Sequence, residues 1–142
     1  MKSVLRSILA VLAGLIVLTI VSFAVEAAVD PLLLHLFPSA FPDRDALAAS
    51  FPARLFMTAY TLLAVAAGGY VTAWIASNSK FRDAVIMGAI EAALTLYVMI
   101  AMPFPEARQS PHWGFIVAIV LMIPAAALGA RIQMRRRPPI VA

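Results

Sequence analysis

The chain has 142 residues, 63% hydrophobic and 13% charged, with 11 Lys and Arg against 7 Asp and Glu for a formal net charge of +4. At a mean hydropathy of +0.95, it has too little polar side chain to coat a soluble globule, so its solvent is lipid. It contains no cysteine, which excludes a disulfide framework, a thiolate nucleophile, an iron–sulfur cluster and a cysteine-ligated zinc.

A helix crosses the hydrocarbon core of a bilayer in about 20 residues. Four stretches reach that length, with spans expected at about 5–28, 54–78, 83–102 and 112–131. They occupy the chain as a single integral membrane domain over residues 1–142, an all-α four-helix transmembrane bundle. Lys and Arg near membrane segments are retained in the cytoplasm. Lys2, Arg6, Lys80, Arg82, Arg131, Arg135, Arg136 and Arg137 fall on one side of the weave, against Arg44, Arg54 and Arg108 on the other, which predicts that both termini are cytoplasmic. The basic balance therefore reflects topology and attraction to anionic lipid rather than nucleic-acid binding.

The first span opens on Lys2 and Arg6 and imitates a signal peptide, but its apolar run exceeds a signal core and Glu26 stands where cleavage favours a small residue. It is read as a retained helix. Leu15, Thr19, Ser22, Glu26 and Asp30 recur at intervals of four and three and share one face, and Glu26, Asp30 and Ser22 are expected to form an outer polar cluster. In the outer loop over 30–53, Asp30-Pro31 reads as a helix start and predicts a short interfacial helix over Leu32–Phe37, which Pro38 and Pro42 end. Asp45-Ala-Leu-Ala-Ala is helix-prone, and Ser50-Phe-Pro52 caps the second span.

Along that span Thr58, Thr61, Val65, Gly68 and Thr72 mark a small, close-packing face. Residues 78–82 form a tight basic turn into the third span. There Glu91 stands out, because an ionisable group in hydrocarbon is costly and faces protein or water. Gly88 and Thr95 share its face. Counting about 1.5 Å per residue from Arg82 and from Lys80 puts Glu91 and Thr72 at similar depth, so Glu91, Thr72 and Thr95 are expected to gather in a buried polar or relay site. Glu26-Ala-Ala-Val and Glu91-Ala-Ala-Leu look like a repeat, but the count from the nearest basic residues places Glu26 near the outer surface and Glu91 in the cytoplasmic half.

The loop over 103–111 holds three prolines, and Ser110-Pro111 is read as the cap of the fourth span. Trp74 and Trp113 fall near the boundaries. The terminal Arg135, Arg136 and Arg137 are expected to contact anionic lipid headgroups. Small pairs at four-residue spacing, Ala10 with Gly14, Ala64 with Gly68, Ala89 with Ala93 and Ala126 with Ala130, are read as packing positions within the bundle. His35 and His112 stand outside with no ligand spacing, so no metal and no cofactor are expected.

Gly68-Gly-Tyr-Val-Thr-Ala-Trp-Ile-Ala76 and Ile123-Pro-Ala-Ala-Ala-Leu-Gly-Ala-Arg131 give the chain a resemblance to uncharacterised small four-span proteins of the bacterial inner membrane. The resemblance covers the topology and implies that location without implying a chemistry. The residues themselves point to a non-enzymatic accessory or structural subunit that packs against a membrane-protein partner or a second copy. A small proton- or cation-coupled transporter using Glu91 is the alternative, and a cofactor-binding electron-transfer subunit using His35 or His112 is the third reading.

Overall fold

The protein is described by a computed structural model, over residues 2–77, 79–101 and 113–136. The regular secondary structure of the described residues is all helical, with no strand. Four helices are long and apolar enough to cross a membrane: α1 (Lys2–Leu36), α3 (Phe51–Ile75), α4 (Lys80–Ala101) and α5 (Trp113–Arg135), with the short α2 (Arg44–Ala49) between the first two.

Local signals set most helix ends. Asp43 caps α2 by accepting the amide of Ala46 at 2.7 Å. Ser50 closes α2 and opens α3, its hydroxyl accepting the amide of Ala53 at 3.3 Å with Pro52 in the first turn. The expected break at Asp30-Pro31 is absent, because α1 continues through Pro31 to Leu36 without a separate interfacial helix. Pro31 and Ala27, whose carbonyl loses its partner amide, both lie on the exposed side of α1. The helix is thus 35 residues long, about 52 Å, against a hydrocarbon core of about 30 Å. The Ser110-Pro111 cap and the loop over 103–111 lie outside the described residues.

The bundle is built around α3 and α5, which run parallel and pack most extensively. Phe51 and Trp113 meet at one end with ring centroids 5.3 Å apart. Towards the other end the backbones touch, since a Cβ on Gly69 would collide with the Ala126 carbonyl and one on Gly129 with that of Ala66. α1 lies antiparallel against α3, and α4 lies antiparallel against α5, while the edge between α1 and α4 is the most thinly packed of the bundle. All three ends marked by basic residues, at the start of α1, the turn before α4 and the end of α5, gather on one side, here termed the basic end. The opposite side carries α2.

The core is made of small residues. Ala10, Ala64, Ala73, Ala84, Ala126 and Ala130 are fully buried beside Val65, Met87 and Met122, whereas Ile16, Phe23, Leu63, Ile100 and Val120 are more than half exposed. Small inside and bulky apolar outside is the reverse of a soluble bundle and suits packing in lipid, where close backbone approach replaces hydrophobic burial. Three of the four small-residue pairs are buried, and Ala89 with Ala93 stays exposed. Four hydroxyls inside the spans are satisfied by their own helix: Thr19, Thr58, Thr61 and Thr72 donate to carbonyls four residues back at 2.8 to 2.9 Å.

Candidate functional site, a carboxyl-lined seam between α1 and α4

The thin packing of α1 against α4 leaves an open cleft of about 240 Å³, lined by Leu18, Thr19, Ser22, Phe23 and Glu26 of α1 and by Glu91 of α4. Its register follows from the core. Leu18 and Met87 both approach Gly68 on α3, so one turn further Ser22 faces the level of Glu91, and Glu26 follows a turn, about 5 to 6 Å, beyond. α1 and α4 run in the same direction away from the basic end, and Cβ atoms tilt towards a helix N-terminus. Both carboxyl side chains therefore lean the same way, and their offset of about a turn is unchanged.

Glu91 is eleven residues from Lys80 and ten from Ala101, the midpoint of α4. Among the described residues it has no hydrogen bond and no ion pair. Glu26 is exposed on the outside of the bundle. The Ser22 hydroxyl is shielded from solvent and also lacks a partner. The seam thus offers two carboxyls and one acceptor-rich hydroxyl in a cleft otherwise walled by Leu18 and Phe23, an arrangement that suits a cation or a hydrogen-bond donor.

This regroups the residues expected from the sequence. Thr72 does not join Glu91: it is buried against Gly14 of α1, its hydroxyl bonded to the Gly68 carbonyl at 2.9 Å. Thr95 turns to α5 and donates to the Met122 sulfur at 3.8 Å. The expected site of Glu91, Thr72 and Thr95 is therefore split over three interfaces, because Thr72 packs against Gly14 of α1 and Thr95 against Met122 of α5. Glu26 and Ser22 line the same cleft as Glu91, about a turn apart in register rather than at the widely different depths expected from the count along the chain, and Asp30 does not line it. Asp30 is buried at 9% exposure with one carboxylate oxygen lacking a partner. The phenol of Tyr60 on α3 lies within electrostatic reach of both Asp30 and Glu26.

Two buried polar side chains at the basic end were not among the expected site residues. Asp83 is 1% exposed and sits in the first turn of α4, where the helix dipole favours a carboxylate, with Arg82 and Ser79 each 3.5 Å away. Gln133 is 2% exposed. Its signal is spacing, since it continues the buried Ala126, Ala130 stripe of α5. Arg135 and Arg136 are exposed at the same end, Arg131 lies over the Phe81 ring at 5.4 Å, and Arg137 lies outside the described residues. His35 is exposed in the last turn of α1, and His112 lies outside the described residues. No three Asp, Glu or His side chains gather into a metal site among the described residues.

Comparison of the chain with protein-family models, with curated proteins and with solved structures finds no match.

Proposed function

We propose that this chain is a non-enzymatic accessory subunit of a larger membrane assembly, inserted in a bacterial inner membrane with both termini in the cytoplasm and Arg135, Arg136 and Arg137 at anionic headgroups. One observation carries the reading: the α1–α4 seam holds Glu91 at mid-helix with no partner among the described residues, while α3 and α5 are packed backbone to backbone. Intramembrane carboxyls pair with a complementary group or face water. A seam left thin on one side of a tight bundle is a surface for another membrane helix.

The test is extraction from native membranes in a mild detergent, followed by sizing and identification of stoichiometric chains. A defined complex well above the 15.2 kDa of one chain supports the subunit reading, and recovery as a single chain or a homo-oligomer overturns it. Orientation is tested on this cysteine-free sequence with single cysteines at Ser39 and Ser79. An impermeant thiol reagent applied from outside should label the first and spare the second.

A second reading, a small proton- or cation-coupled transporter, draws on the shared cleft of Glu26 and Glu91. Cation or proton flux through liposomes containing the purified protein supports it if Glu91→Gln abolishes the flux, and flux unchanged in that variant removes it.

A further inference from the structure

Among the described residues, Glu91 has no basic counterpart at its own depth. Every Lys and Arg of the four long helices stands towards a helix end: Arg6 bonds the Ile75 carbonyl, Arg54 packs across Gly114 at the start of α5, and Lys80, Arg82, Arg131 and Arg135 lie at the basic end. Glu91 lies about 16 Å along α4 from Lys80. A second copy of this chain would bring the same acids to that level and, among the described residues, no base. Whatever covers the seam must supply the positive charge itself.

The shape of the cleft narrows the occupant further. Thr19, Phe23 and Glu26 are exposed along its α1 side, so a small cation lodged there would stay uncovered towards the lipid, and Glu26 would remain in contact with hydrocarbon. A helix laid along the seam covers that face as it delivers its charge. The aliphatic stem of a Lys or Arg lies along Leu18 and Phe23 while its head reaches both carboxyls, which are within about a turn of each other.

We infer that the α1–α4 seam is a docking groove for one transmembrane helix of a different membrane protein, which places a mid-membrane Lys or Arg between Glu91 and Glu26. This rests on the accessory-subunit reading and names the chemistry of the partner. The Ser22 hydroxyl, otherwise without a partner, accepts a further hydrogen bond from the same head group.

The test uses the full-length protein in phosphatidylcholine and phosphatidylglycerol vesicles with leucine-rich transmembrane peptides carrying a single central Lys or a central Leu, association being read by energy transfer between labels. The Lys peptide should bind at least tenfold more tightly than the Leu peptide. Glu91→Gln should abolish that preference and Glu26→Gln should reduce it severalfold, with helical content unchanged by circular dichroism in each. Equal binding of the two peptides to the folded wild type overturns the inference, as does a preference that survives in the double variant. Self-association of the wild type that depends on Glu91 and excludes the peptide assigns the groove to a second copy instead. Displacement of the Lys peptide by an equal concentration of a simple alkylamine assigns it to a free cation. If the complex extracted from native membranes stays intact with both glutamates changed, the subunit reading stands and the groove falls. If the wild type yields no complex, the subunit reading itself fails.

Discussion

The α3–α5 interface and the α1–α4 seam are built from opposite materials. Between α3 and α5, Gly69 and Gly129 bring backbone onto backbone, and the surrounding core is alanine, with Met122 the largest fully buried side chain that α5 contributes. Between α1 and α4 the approach is thin, the cleft stays open, and the carboxyls and hydroxyls in it find no partner across it among the described residues. In lipid, helices are held by close packing and by hydrogen bonds, since burying leucine from lipid gains little. The first interface satisfies itself within the chain. The second does not, and that difference separates the part of the molecule that makes the fold from the part available for function.

The largest test of this contrast is Gly129→Val. Its Cβ would overlap the Ala66 carbonyl, which is backbone and cannot rotate away, so the helices must part. A loss of about 3 kcal/mol or more is expected, read as unfolding at a lower mole fraction of denaturing detergent. Glu91→Gln should shift the same transition by no more than about 0.5 kcal/mol, because it breaks no contact within the chain. Similar losses in the two variants would remove the distinction between a structural and a functional interface.

Gly14→Ala probes the α1–α3 contact, which is intermediate in character. The new methyl would collide with the Thr72 hydroxyl and crowd the Gly68 carbonyl, 2.8 Å away. A cost of about 1 to 3 kcal/mol is expected. Adding Thr72→Ala should recover part of it, as contacting residues couple by about 0.5 to 3 kcal/mol. Strict additivity in the double-mutant cycle would mean that Gly14 and Thr72 do not touch.

These residues also mark what could be read from the sequence. Four spans, the Ser50-Phe-Pro52 start, the helix-prone Asp45 segment and the stripe of Thr19, Ser22 and Glu26 were legible because each rests on local chemistry or on helical periodicity. Glu91 stood out because a charge in an apolar run is costly wherever it packs. Its neighbours were not legible. Depth counted along the chain assumed that helices of different length begin level, whereas α1 has 35 residues and α4 has 22, and their register is set by Leu18 and Met87 meeting at Gly68. Thr72 was assigned to the α3–α4 hairpin because the turn is short. Gly14, paired with Ala10 as a packing position whose partner helix the spacing does not name, is what receives it on α1. Asp30-Pro31 carries a local start signal, and the continuous α1 overrides it on its exposed side, away from the core.

Ser50→Ala sharpens the account of the connection over 44–51, where one hydroxyl both bonds the Leu47 carbonyl at 3.1 Å and caps α3 at Ala53. The expected loss is about 1 kcal/mol. It should leave the binding of a lysine-bearing helix at the seam unchanged.

A small effect on stability, and the one that bears most on the seam, belongs to Ser22→Ala. In the isolated chain the Ser22 hydroxyl is shielded and has no partner among the described residues, so removing it eliminates an unsatisfied polar group, and the variant should be neutral or more stable by about 0.5 to 1 kcal/mol. Once a partner helix occupies the groove, the same oxygen has a donor to accept from, and its loss should weaken the lysine peptide two- to fivefold. The sign of the substitution therefore depends on whether the seam is filled. A uniform loss of stability in the empty protein would mean that Ser22 already has a partner within the chain. A gain in stability with no change in peptide affinity would place the incoming charge beyond the reach of Ser22, leaving Glu91 and Glu26 alone to hold it.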